Sequence, residues 1–268
     1  MDYEKVLTES KKQVTVKGLL NNVNYKQRFE EILGKKSAGF MSSIVNISNS
    51  YSLQGCEPSS IISNAVIAAS LDLPIDPNLG FAWIVPYNDK RKGKISQFQM
   101  GWKGYVQLAL RTGQYKFLNV IEVYKSQFKS WNALTESLEA DFTQEPDDEV
   151  VGYVAYFKLM NGFEKTSYWT KDKVIKHAKK FSKTYGNGPW QTEFDAMAKK
   201  TVLKNTLSKW GILSIDMQNG ILADQGTFKK EIIENGDIAA NVEYIDNVPF
   251  QDTTDKEENY EGTPFEGQ

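Results

Sequence analysis

The stretch Phe98-Gln-Met-Gly-Trp-Lys-Gly-Tyr-Val-Gln-Leu-Ala-Leu-Arg-Thr-Gly113 constrains this chain more than any other. Alternation over Ile95 to Met100 predicts a short strand, and the apolar spacing of Tyr105 to Thr112 predicts a helix that Gly113 closes. Gly101-Trp-Lys-Gly104 must turn one into the other. Two glycines let a backbone pass close to a neighbour or a ligand. A helix beginning there aims N–H groups and a positive dipole end at whatever lies in front. Lys103 adds a full charge, and Trp102 and Tyr105 add flat stacking faces. Phosphate plus base suits that set. A plain tight strand–helix connection would use the same residues, and the turn by itself leaves both readings open.

The remaining pattern predicts mixed elements. Tyr25 to Leu33 reads as a helix stopped by Gly34, Phe40 to Ile47 as another, and Pro58 to Leu71 as a strongly apolar one. Gly80 to Val85 reads as a strand leading to an exposed basic turn, Pro86 to Gly93. Tyr115 to Tyr124 is strand-like. Val150 to Leu159 and Phe163 to Trp169 flank Asn161-Gly162, which predicts a hairpin with a type I′ turn. Thr170 can cap a helix running to about Ser182, and Pro189 opens one ending near Trp210-Gly211. In that last helix Trp190, Phe194, Met197 and Thr201 share one face while Leu203, Leu207 and Trp210 form a second. Two apolar faces predict packing on two sides, with a neighbouring subunit as one candidate. Strands and helices without regular β-α alternation give an α+β fold with an antiparallel sheet. One main domain over residues 24–230 is expected, with a weakly patterned arm over 1–23 and a disordered acidic tail over 231–268.

Charge supports that division. The chain of 268 residues has a net charge of −2, yet residues 231–268 hold eleven acids and one lysine while the rest carries net +8. A basic body with an acidic tail suits a protein that binds a polyanion, and equally a globule with a solubilising tail. The N-terminus lacks the apolar core of a signal peptide, no window has the roughly 18 apolar residues of a membrane helix, and the single cysteine, Cys56, excludes an internal disulfide. A cytoplasmic protein is expected.

Residues for catalysis are scarce. The one histidine, His177, sits among Lys173, Lys176, Lys179 and Lys180 and reads as part of a solvated basic helix. No Cys/His set has zinc spacing, and no carboxylates assemble into the converging set a two-metal nuclease needs. Gly34-Lys-Lys-Ser37 resembles half a phosphate-binding loop, but Phe29 replaces the earlier glycine, so ATP use is not expected. Basic residues form the better pattern. Lys90, Arg91, Lys92 and Lys94 lie on a turn, lysines from Lys171 to Lys183 crowd one helix, and Lys199, Lys200, Lys204 and Lys209 line another. Aromatics are interleaved: Phe81, Trp83, Trp102, Tyr105, Tyr185 and Trp190. Clustered lysines neutralise phosphates whatever the base sequence.

Three segments in order carry a family resemblance. They are Ala68-Ala-Ser-Leu-Asp-Leu-Pro-Ile-Asp-Pro-Asn-Leu-Gly-Phe-Ala-Trp-Ile-Val-Pro-Tyr87, the Phe98 to Gly113 stretch, and Pro189-Trp-Gln-Thr-Glu-Phe-Asp-Ala-Met-Ala-Lys-Lys-Thr-Val-Leu-Lys-Asn205. From about Tyr25 to Leu222 the chain resembles the RecT family of phage single-strand annealing proteins. The resemblance implies annealing of complementary DNA strands without ATP or another cofactor, on oligomeric rings or helical filaments. It implies as partners single-stranded DNA, the annealed duplex, further copies of the chain, a phage exonuclease and host single-strand DNA-binding protein. Matching residue by residue, it implies DNA backbone contacts from Lys103 with the amides of Gly101 and Gly104, and from Arg111, Lys199, Lys200, Lys204 and Lys209. Trp102 and Gln107 would lie nearer the bases. Asp246-Asn-Val-Pro-Phe250 resembles the acidic tip of bacterial single-strand DNA-binding proteins, although its Phe is internal. A passive strand-coating protein and a metal-dependent nuclease remain the rival readings.

Overall fold

Nine consecutive residues, Ile61 to Ala69, are buried, so the most apolar helix predicted lies inside the protein rather than on its surface. The computed structural model describes residues 14–182, 185–186 and 188–224, with the backbone of 226–228 and 242–244. Four helices come first: α1 (Val16–Leu20), α2 (Val23–Leu33), α3 (Ser37–Ser48) and α4 (Pro58–Ser70). A hairpin of β1 (Ala82–Asp89) and β2 (Gly93–Met100) leads into α5 (Trp102–Arg111). Then come β3 (Tyr115–Tyr124), a small hairpin of β4 (Phe128–Asn132) and β5 (Ser137–Ala140), β6 (Val150–Leu159) and β7 (Glu164–Thr170). The order closes with α6 (Lys171–Phe181), α7 (Pro189–Thr192), α8 (Phe194–Trp210), α9 (Ile215–Ala223), β8 (Gly226–Phe228) and β9 (Val242–Tyr244). The mixed helices and antiparallel sheets match the α+β expectation.

The central helix α4 starts where Pro58 and the Glu57 carboxylate, which accepts from the Ser60 amide at 2.8 Å, favour a helix start. Its small polar residues bond to β2: Asn64 Nδ2 donates to Ser96 Oγ at 2.8 Å, and the Ser96 amide donates to Ser60 Oγ at 2.9 Å. Its Ile61, Ile62 and Ile67 fill the core, each contributing about 1.5–3 kcal/mol by leaving water. Helix α1 lies within the stretch read as an unpatterned arm, and its Val16 and Leu20 are buried against the same core. A five-residue helix with two anchors is too short to leave a periodic signal.

The second half is a three-stranded antiparallel sheet in the order β3-β6-β7. Its Glu122 and Tyr153 face α8, while Val123, Val154 and Tyr168 face the β4–β5 hairpin, where Tyr168 stacks on Phe128 at 5.4 Å. Between β6 and β7 the predicted turn type is corrected. Gly162 has φ +92°, but among the described residues only Asp72 and Glu136 are non-glycines with positive φ. Asn161 therefore does not adopt the type I′ conformation. Gly162 N instead donates to Leu159 O and Leu159 N to Phe163 O, a longer turn in which glycine supplies the left-handed step.

The predicted helix from Pro189 breaks at Glu193 (φ −136°, ψ 48°), which swings Trp190 into the core beside Phe194. Its second apolar face is largely filled within the chain: Leu203 and Leu207 are buried while Trp210 stays half-exposed, and α8 packs on α5 on one side and on the sheet on the other. Besides α1, the β4–β5 hairpin, α9 and the β8–β9 pair had no sequence prediction. In the tail Val242–Tyr244 pairs with Gly226–Phe228. The rest of the tail, including Asp246 to Phe250, lies outside the described residues, as do residues 1–13 and Lys183.

Candidate nucleic-acid interface

The Gly101–Gly104 turn is built for packing. A Cβ on Gly101 would lie 2.3 Å from the Trp83 ring and 2.5 Å from Gly80 O, and one on Gly104 would lie 2.4 Å from Phe81 O. Only glycine lets α5 approach β1 this closely. Both amides donate inside the chain, Gly101 N to Phe81 O at 2.9 Å and Gly104 N to Gly101 O at 3.0 Å. The close approach that these glycines allow is thus to the protein's own backbone.

What the turn does present is Trp102 with two cations. Lys103 Nζ lies 5.9 Å and Lys199 Nζ 5.2 Å from the Trp102 ring centre. Lys199 comes from α8, so two segments far apart in sequence meet around one half-buried indole. Glu122 on β3 holds Lys199 at 2.7 Å. Lys103 is exposed, and Gln107, one helical turn on, is half-buried. Trp102, Lys103, Gln107 and Lys199 thus share one region.

Arg111 faces elsewhere. Its guanidinium donates to Leu71 O at 2.6 Å and to Asp72 O at 2.7 Å, capping the carbonyl end of α4. Lys200 and Lys204 also turn inward. Asp224, just past α9, is fully buried. Its Oδ1 accepts from Lys200 Nζ at 2.8 Å and from the Met100 amide at 3.0 Å; its Oδ2 accepts from Tyr105 Oη at 2.9 Å and Lys204 Nζ at 3.0 Å. Burial alone would raise the carboxyl pKa, but the two ammonium groups hold it well below the carboxylate range. Burial pushes the Lys200 ammonium down despite its partner, and burial followed by the Asp224 charge raises the Tyr105 hydroxyl. Lys200 and Lys204 thus take part in a structural tie joining α5, α8, α9 and β2. Asp224 had no sequence signal, because one Asp after an apolar run looks like any helix end.

A second cationic region forms where α6 crosses α8. Lys173 Nζ lies 4.3 Å from the Trp169 ring centre and Lys180 Nζ 5.1 Å from that of Phe181. Between those rings sits His177, pushed down to about 4 by burial, then by Lys173, Lys204 and Lys180. The solvated-face reading of His177 is corrected: its ring is half-buried between aromatic neighbours. Lys209, exposed on α8, adds to the field at Lys173. At the β1–β2 tip, Asp89 Oδ1 accepts from the amides of Arg91 and Lys92, shaping an exposed turn that carries Lys90, Arg91 and Lys92.

Among the described residues no helix is long and apolar enough to cross a membrane, and no three His, Cys, Asp or Glu side chains gather to hold a metal ion. Comparison with known proteins adds what geometry alone does not. The model of the RecT family matches residues 38–238. An uncharacterised Bacillus subtilis protein, YqaK, is 51% identical over 256 residues, covering 94% of this chain and 87% of its own length. Escherichia coli RecT is 30% identical over 177 residues, 65% of each chain. With most of its length matched by the family model, the chain belongs to the RecT family of DNA-binding, single-strand annealing recombination proteins.

Proposed function

We propose that this chain anneals complementary DNA strands without ATP, holding a strand by its phosphates against a cationic surface while its bases stay open to pairing. The observation that carries this reading is the convergence of Lys103 and Lys199 on Trp102, with a second lysine-rich surface on α6 and α8. Lysines neutralise phosphates without reading sequence, and an indole offers a stacking face to any base. Pairing itself supplies the driving force, about 1.4 kcal/mol per stacked step. Trp102, Lys103, Gln107, Lys199 and Lys209 are the proposed DNA contacts. Arg111, Lys200 and Lys204 act by holding the elements that carry them.

The protein works as an oligomer, a ring or helical filament. Leu110, Phe117, Met160, Phe163, Trp210 and Ile212 support this, since they leave large apolar side chains exposed. It acts in the bacterial cytoplasm on strands exposed by a phage exonuclease and shared with the host single-strand DNA-binding protein. Labelled complementary oligonucleotides incubated with the protein, without nucleotide, test the reading. Faster pairing than in buffer is expected. Protection without pairing would make the protein a passive coat, and shortened strands would make it a nuclease.

A further inference from the structure

One side of α6 carries rings and lysines in alternation. The His177 imidazole lies 5.3 Å from the Trp169 ring and 4.5 Å from the Phe181 ring. Lys173 sits over the first of these rings and Lys180 over the second. From across the helix pair, α8 brings Lys204 to act on His177 and Lys209 to act on Lys173. The carboxylates of the neighbouring elements are engaged elsewhere. Asp195 accepts from the Tyr153 hydroxyl, Glu122 holds Lys199, and Asp224 holds Lys200 and Lys204. On β6 and β7, Lys158 pairs with Glu164 and Lys165 with Glu136, and Lys165 Nζ also lies 3.6 Å from the Trp210 ring centre at the end of α8. Asp172 stands in the first turn of α6. Three charged groups that act on His177 are Lys173 and Lys180 of its own helix and Lys204 of α8.

We propose that this α6–α8 face is a phosphate subsite at which His177 takes up a proton when a DNA phosphodiester seats there, linking strand binding to pH. The proposal rests on the DNA-binding reading above. The physics is a change of sign in the local field. Without DNA, burial and ammonium repulsion oppose a charge on the ring and hold it neutral above about 4. A phosphodiester brings a negative charge, cancels the repulsion of the lysines and accepts a hydrogen bond from the imidazolium. The proton comes from solvent, and no bond other than N–H is made. Because the bound-state pKa is the higher one, affinity rises as pH falls through it and levels off near the free-state value.

The test uses the full-length protein and a thymine-only oligonucleotide, whose bases do not titrate in this range. If the phosphate restores an ordinary pKa of about 6.5, then lowering the pH from about 8 to about 5.5 at fixed salt tightens binding about tenfold per site. His177→Gln should lose that extra gain, so the ratio of the two affinities falls about tenfold below the wild-type ratio. A readout that needs no variant comes from the chain having one histidine. The carbon-13 signal of its ring must titrate at higher pH when the oligonucleotide is bound. Equal pH ratios for wild type and variant, or a ring that titrates unchanged with DNA bound, would overturn the subsite. Failure of the wild type to bind the oligonucleotide even at about pH 5.5, where binding should be tightest, would instead sink the DNA-binding reading, and the subsite with it.

Discussion

Asp224→Asn tests whether the buried carboxylate holds the lysine-bearing helix in place. Four donors converge on its two oxygens: Lys200, Lys204, Tyr105 and the Met100 amide. Asparagine keeps the shape but removes the charge and turns an NH2 group toward one pair of donors. Lys204, 18% exposed, can swing its ammonium toward water, whereas Lys200, at 7%, cannot without opening the core. Leaving one partner of a buried ion pair uncompensated costs about 3–5 kcal/mol, so the variant should melt roughly 6–20 °C below wild type for a chain of this size. Lys200→Met should cost less, under about 2 kcal/mol, because Asp224 keeps three donors and methionine fills the space with apolar atoms. The pH dependence has a definite sign. The folded carboxyl lies below its unfolded value of about 3.9, so its stabilisation is fully present above that pH and is lost as pH falls from there through the lower folded value. Wild type should therefore lose stability below about pH 4 more steeply than Asp224→Asn. Urea titrations across this range provide the measurement. A variant within about 1 kcal/mol of wild type at neutral pH, or Lys200→Met as costly as Asp224→Asn, would refute the idea that this carboxylate organises the helices.

Three further outcomes are expected. Gly104→Ala should lower the unfolding free energy by about 1–3 kcal/mol, because its Cβ meets the Phe81 carbonyl; an unchanged urea midpoint would mean the turn has room for a ligand. Lys103→Ala should reduce the salt dependence of single-strand binding by about 0.7 in log–log slope, while Lys129→Ala, an exposed lysine on β4, should not; equal slopes would remove the Trp102 region from the interface. Deleting residues 231–268, which carry net −10, should tighten DNA binding at low salt, since a tethered polyanion competes for the cationic surface. The difference should shrink as the Debye length falls from about 10 Å at 0.1 M to about 3 Å at 1 M, and unchanged or weaker binding at low salt would defeat the idea.

Periodicity and punctuation in the sequence determined where most elements lie. Pro58 and Glu57 start α4, Thr170 starts α6, and glycines at 34 and 113 mark helix ends, because these signals act over a few residues through backbone dihedrals and caps. The clustering of basic residues and the three family-like segments likewise point to DNA from the sequence alone. Tertiary structure alone decided what each lysine does. Lys199, Lys200 and Lys204 occupy neighbouring turns of one helix, yet one meets Trp102 and Glu122 while two pair with the buried Asp224. Gly101 and Gly104 likewise look ligand-facing in sequence and prove to be where two backbone segments touch. His177 changes from a solvated residue to a neutral ring because Trp169, Phe181 and α8 close around it. Burial and through-space charge depend on residues distant in the chain, and a local pattern does not contain them.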